Sequence, residues 1–197
     1  NYFNLIDKVI LSDKVEIPKE EFVKHERTKI ELTLPAEAQT GVVTLQNSDE
    51  IPLEYISPQA LIVVLPSVDE VIDLTEKKPG DLISISGKDL DLVTKVVMPN
   101  GMEVEYETED GKLQFMLPEN VSDGVIIMYP ASGVEVPVAH IGVAIPQNLV
   151  ATPVENLRTG DLITVKGGNM ELVTGISFAG AEGSFAPESQ SDSDLTV

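Results

Sequence analysis

One feature limits this chain more than any other: it repeats itself at intervals of about 80 residues. Residues 79–94 read PGDLISISGKDLDLVT and residues 159–174 read TGDLITVKGGNMELVT, aligned without a gap at a shift of 80. Gly80, Asp81, Leu82, Ile83 and Gly87 return as Gly160, Asp161, Leu162, Ile163 and Gly167, and Pro66 returns as Pro146. A second likeness runs the other way. KIELTLPAEAQTG at 29–41 matches KLQFMLPENVSDG at 112–124, a shift of 83, and NLIDKVI at 4–10 matches DLVTKVV at 91–97. Ile51-Pro52-Leu53 further resembles Val136-Pro137-Val138. A period of this length exceeds that of a solenoid unit and suffices for a small domain with its own core. Three copies are therefore expected: the C-terminal part of one over 1–64, a complete one over 65–140, and the N-terminal part of a third over 141–197. The outer two are expected to be continued by residues beyond Asn1 and Val197, with head-to-tail completion between molecules as a variant.

Within a copy the apolar residues alternate with period two, the mark of a half-buried strand. Ile83 and Ile85 alternate with Leu82, Ser84 and Ser86. Leu113, Phe115 and Leu117 alternate with Lys112, Gln114 and Met116. Met102, Val104 and Tyr106 alternate with Glu103, Glu105 and Glu107, and Val134, Val136 and Val138 with Glu135, Pro137 and Ala139. Turn pairs punctuate them at Pro79-Gly80, Asn100-Gly101, Asp110-Gly111, Asp123-Gly124 and Ser132-Gly133. Six or seven short strands per copy, spaced by such turns, predict an all-β chain of tandem antiparallel β-sandwiches. No long helix is expected, and Pro18 to Arg27 reads as a short turn or a charged strand.

The recurring glycines have backbone roles. Gly80 and Gly160 suit a turn that needs positive φ. Gly87 and Gly167 are expected to end their strand where the chain swings to the other sheet. A phosphate-cradling loop would need a following helix and a lysine, which the pattern lacks. Asp89 and Asn169 place oxygens at the same corner in two copies, with Asp91 and Glu171 two residues on. A turn closed by the short side chain is the favoured reading over calcium, because no EF-hand loop pattern is present. Gly80, Gly87, Gly160, Gly167, Asp89 and Asn169 are thus expected to be structural.

On these residues the chain resembles the IPT/TIG family, immunoglobulin-like sandwiches of the E-set group. The family pattern G-[TD]-x-[IV]-[TS]-[IV]-x-G-x-[ND]-[FLM] is met by Gly80 to Leu90, followed by Val96-Val97-Met98 and Leu113 to Pro118. The third copy meets it from Gly160 to Met170, followed by Ile176-Ser177-Phe178, and Tyr2-Phe3 stands where the first copy's Asn-Phe would. The resemblance implies an E-set immunoglobulin-like sandwich in each copy. The Asp-Leu-Val-Thr-Lys-Val stretch is similar to tandem copies in surface lipoproteins of gut Gram-negative bacteria, which implies glycan capture or adhesion. It also implies a cell-surface location with a lipid anchor at the outer membrane, or secretion.

Charge and composition narrow the function classes. Acidic residues outnumber basic ones by 33 to 13, a net charge of -20, so the chain repels phosphate backbones and nucleic acid is excluded as a partner. No apolar run is long enough to span a membrane as a helix. Cysteine is absent, which removes disulfides and thiolate chemistry. His25 lies among charges and His140 at a strand end, neither beside a nucleophile. The carboxylates form no special pair for sugar hydrolysis, and the run Glu103 to Asp110 reads as a solvated face. No catalytic residue, metal or cofactor is therefore expected. Tyr129, before Pro130, and Tyr55 are the candidate contacts for a sugar ring, while Tyr106 falls in phase with the core. The function expected is a non-catalytic extracellular binding or adhesion protein, its repeats holding a glycan or a surface protein or spacing other domains. The alternative is an accessory sandwich region of a larger secreted carbohydrate-active enzyme.

Overall fold

The fold is seen in a computed structural model that describes residues 2–48, 51–180 and 182–197. Its backbone follows the alternation: the segments are short antiparallel strands, with 3-10 turns as the helical content of the described residues. In chain order the first six are β1 (Lys8–Ile10), β2 (Glu16–Pro18), β3 (Phe22–Glu26), β4 (Lys29–Leu32), β5 (Thr44–Gln46) and β6 (Glu54–Ile56). Then come β7 (Ser67–Val68), β8 (Ile72–Lys77), β9 (Leu82–Lys88), β10 (Val93–Val97), β11 (Glu103–Val104), β12 (Tyr106–Glu109), β13 (Lys112–Met116), β14 (Gly124–Pro130) and β15 (Val136–Val143). The chain closes with β16 (Gln147–Thr152), β17 (Thr164–Gly168), β18 (Ser189–Gln190) and β19 (Asp194–Thr196). The segment from Pro18 forms a 3-10 turn at Lys19–Glu21 and then β3, so both forms expected there occur in succession.

Two compact units result. The first holds Asn1–Ile72 and Pro79–His140, the second Asp73–Lys78 and Ile141–Val197. In the first unit the middle repeat is a sandwich. One sheet runs β12-β13-β9-β7, and the other contains β11-β10-β14-β15 in that order. Ile83, Ile85, Leu113 and Phe115 are 3% exposed or less, and so are Val96, Ile126, Met128 and Val138 from the second sheet. Each such side chain contributes roughly 1.5–3 kcal/mol by leaving water, which is why the alternation fixes the register.

The first repeat reproduces half of that plan. Its sheet β2-β1-β5-β6 has the order of β11-β10-β14-β15, and its hairpin β3-β4 stands for β12-β13. Its core is small: Val9, Leu11, Ile17 and Ala38 are buried, and Phe22, Leu32, Val43 and Leu45 are packed on it only in part.

The second unit reproduces the other half. Its sheet is β16-β17-β19-β18, and Leu195 faces Val165 as Leu113 faces Ile85. Asp89 and Asn169 both take left-handed backbone, with φ of 54° and 57°, and both open a 3-10 turn, Leu90–Leu92 and Met170–Leu172. Neither side chain caps its turn, so the corner is made by the backbone and not by the side-chain hydrogen bond expected from sequence. The short polar residue is there because it tolerates this conformation.

Lys78 ties the same unit together. Its ammonium donates to Glu171 Oε1 and, at 3.0 Å, to Asp192 Oδ1. The bonds to Glu171 and Asp192 raise Lys78 above the ordinary 10.5, and the bond from Lys78 holds Asp192 below the ordinary 3.8. A raised lysine stabilises the fold below 10.5 and loses this as pH rises; a lowered aspartate stabilises it above 3.8 and loses this as pH falls. Lys78→Met should therefore lower the melting temperature of the second unit at neutral pH in low salt. The difference should shrink below pH 3.8, above pH 10.5 and in high salt. Identical melting curves at neutral pH and low salt would show that these bonds contribute nothing.

Candidate functional site

The glycines come first, because they set how closely the strands approach. Gly80 and Gly160 have φ of +86° and +95°, and a Cβ on either would meet open space, so left-handed backbone alone calls for glycine there. Gly87 differs from expectation. The strand does not end at it but runs to Lys88, and its backbone is not left-handed. Here glycine is required by approach: a Cβ would lie 2.3 Å from the Ser67 carbonyl oxygen, on neighbouring β7, and 3.0 Å from Leu90 Cδ2. Gly167 answers to the same cause, with Gln147 O at 2.7 Å and Met170 Sδ at 2.8 Å.

The two tyrosines proposed as sugar contacts lie on different sheets of the first unit. Tyr55 is on the edge strand β6, 58% exposed, beside Ile56 at 57%. Tyr129 is on β14 and half-buried. Lys95 Nζ covers one face of its ring at 4.5 Å from the centroid, and its hydroxyl bonds Glu135 Oε1 at 3.1 Å. Burial first, and the Glu135 carboxylate next, hold its phenol above the ordinary value. One ring face is thus already taken by a cation. Tyr106 donates its hydroxyl to Val93 O at 2.6 Å, and its phenol is likewise raised, chiefly by burial and then by Glu103.

A site that the sequence analysis did not single out lies beside Tyr106. The polypeptide leaves one sheet after Val104 and enters the other at Tyr106, with Glu105 as the crossing residue. This opens a groove of about 910 Å³ in the middle repeat. Its apolar part is the cross-strand pair Leu82 and Met116, 60% and 55% exposed, with Phe115 beneath. Its polar part is Glu103, Glu105, Glu107 and Gln114. A surface that pairs an open aliphatic and thioether floor with hydrogen-bond acceptors suits a ligand with an apolar face and several hydroxyl donors. The groove escaped sequence reading because strict alternation put those glutamates on one flat face. The crossing at Glu105 could have been suspected only from the length of the run Met102 to Glu109.

The corner at Asp89 and Asp91 borders a smaller cleft of about 200 Å³ with Glu109, Asp110 and Lys112. Among the described residues no group of three or more His, Asp or Glu side chains is placed to hold a metal ion. No helix there is long and apolar enough to cross a membrane.

No protein-family model matches the chain, and no curated protein matches it. Among solved structures, it is similar to the surface glycan-binding protein PbSGBP-B from Prevotella bryantii at 15% identity and a TM-score of 0.38, over 69% of this chain and 36% of that one. It is also similar to SGBP-B of the Bacteroides ovatus mixed-linkage glucan utilization locus, in complex with a mixed-linkage heptasaccharide. There the identity is 16% and the TM-score 0.32, over 96% of this chain and 49% of that one. For SGBP-B from a complex xyloglucan utilization locus in Bacteroides uniformis the values are 14% and 0.33, over 86% and 56%. The chain thus spans between about a third and just over half of the length of those proteins.

Proposed function

We propose that the chain is part of a non-catalytic cell-surface or secreted protein whose sandwich repeats, of IPT/TIG type, hold a carbohydrate, with the groove of the middle repeat as the contact. The observation that carries this reading is the composition of the groove: Leu82 and Met116 lie open between Glu103, Glu105, Glu107 and Gln114. A pyranose offers a face of C–H groups to such a floor and donates hydroxyls to such acceptors. A protein of this kind is held at the outer membrane by a lipid anchor or is released. The repeats are divided at 64/65 and 140/141, the motif frame being the support for these bounds.

Titration calorimetry of the full chain with neutral oligosaccharides tests the reading. Met116→Ala and Glu105→Gln should each weaken binding by about tenfold, as loss of one buried contact or one charge-assisted hydrogen bond would. Tyr129→Ala should have a smaller effect. Binding that is unchanged by both groove substitutions, or no binding across a panel of neutral glycans, would overturn it. Turnover of a glycan that one carboxylate substitution abolishes would replace it with an enzymatic reading.

A further inference from the structure

The chain has five methionines, and burial separates them. Met98, Met128 and Met170 are 2% exposed or less, and Met102 is half-buried. Met116 is 55% exposed. The cause lies in the strand that carries it. β13 turns Leu113 and Phe115 into the core of the middle repeat, with Leu117 in phase just beyond its end. Met116 is out of phase with them and stands on the outer face, opposite Leu82 of β9. That face is the floor of the groove. The thioether most open to water is therefore also part of the surface assigned to a ligand.

We propose that Met116 is a modification site, at which hydrogen peroxide oxidises the folded chain to the sulfoxide and so weakens the hold of the groove on its ligand. The consequence for binding rests on the carbohydrate reading; the site itself does not. In the step, a sulfur lone pair attacks one peroxide oxygen and the O–O bond breaks. That oxygen stays on sulfur, which is oxidised by two electrons, and its proton passes to the other oxygen, which leaves as water. The groove filters the oxidant. Glu103, Glu105 and Glu107 line it, and among the described residues no lysine or arginine does, so an anionic oxidant is repelled while uncharged peroxide enters. The product replaces a soft apolar surface with a strong dipole ending in a hydrogen-bond acceptor. The C–H face of a sugar loses its contact there, and the new oxygen brings no donor to a groove already rich in acceptors. Because the side chain lies outside the core, the fold is not disturbed.

The test treats the full chain with hydrogen peroxide at neutral pH and locates the added oxygen by peptide mass spectrometry. Met116 should react about tenfold or more faster than Met98, Met128 or Met170, whose sulfurs must wait for the fold to open. In concentrated urea all five methionines should react at similar rates. The oxidised chain should keep its melting temperature. By calorimetry it should bind the tightest-held member of a neutral oligosaccharide panel about tenfold or more weakly, and methionine sulfoxide reductases should restore the affinity. Met116→Leu, whatever its own affinity, should show no change on peroxide treatment. Folded-state rates that do not distinguish Met116 from the buried methionines would overturn the proposal. So would complete oxidation of Met116 with affinity unaltered. Selective oxidation of a chain that holds no glycan before or after treatment would instead overturn the carbohydrate reading and leave the modification site standing.

Discussion

Gly87→Val is expected to destabilise the first unit by about 3 kcal/mol or more, since overpacking against backbone leaves no rotamer to relieve it. The first atom a Cβ meets, 2.3 Å away, is a backbone carbonyl oxygen of β7, so β7 must part from β9 before the side chain fits. Gly167→Val should cost the second unit less: the backbone oxygen it meets, Gln147 O, is farther away at 2.7 Å, and the other two nearest atoms, Met170 Sδ and Leu149 Cδ2, belong to flexible side chains. Gly80→Ala separates crowding from backbone strain. Its Cβ has open space, so only the left-handed φ is penalised, at about 1–2 kcal/mol. Urea unfolding of the three variants should give this order, and equal midpoints for Gly87→Val and wild type would show that the two strands are free to separate.

The second large effect is expected at Leu113. Its side chain is fully buried, so Leu113→Ala leaves a cavity and should cost about 3 kcal/mol, within the range for such truncations. Ile30, at the same place in the first repeat, is only half-buried, and Ile30→Ala should cost about 1 kcal/mol. The pair makes a controlled comparison, since the motif frame is shared and the covering strand is not. Equal losses on urea unfolding would mean that the first repeat is closed as fully as the middle one.

How much of this was legible beforehand depends on how far away the cause of each feature lies. The alternation at Ile83, Ile85, Leu113 and Phe115 is local, and it led straight to two sheets and the correct buried face. The positive φ of Gly80 and Gly160 is also local, set by the turn itself. Gly87 stands out in the sequence through its recurrence, but the reason for it does not, because the atom that excludes a side chain belongs to Ser67, twenty residues earlier in the chain. Alternation places Val134 in a strand, whereas the strand begins at Val136 and runs on to Val143, since alternation is blind to where hydrogen bonding starts. The groove was missed for a topological reason: period two says which way a side chain points within one sheet, and Glu105 lies between two.

The order in which the middle repeat assembles follows from its ladder. Asp110 and Gly111, both with positive φ, close the tight hairpin that joins β12 to β13, a loop of two residues. By contrast Ser86 must find Lys112, and Val97 must find Ile127, across some thirty residues of intervening chain. Short loops close in nanoseconds to microseconds, and long-range antiparallel pairing takes milliseconds or more. The hairpin is therefore a kinetic template whose outer edge waits for β9. Until it arrives, the freshly synthesised repeat passes through a stage in which Leu113 and Phe115 are as bare as their counterparts on β4.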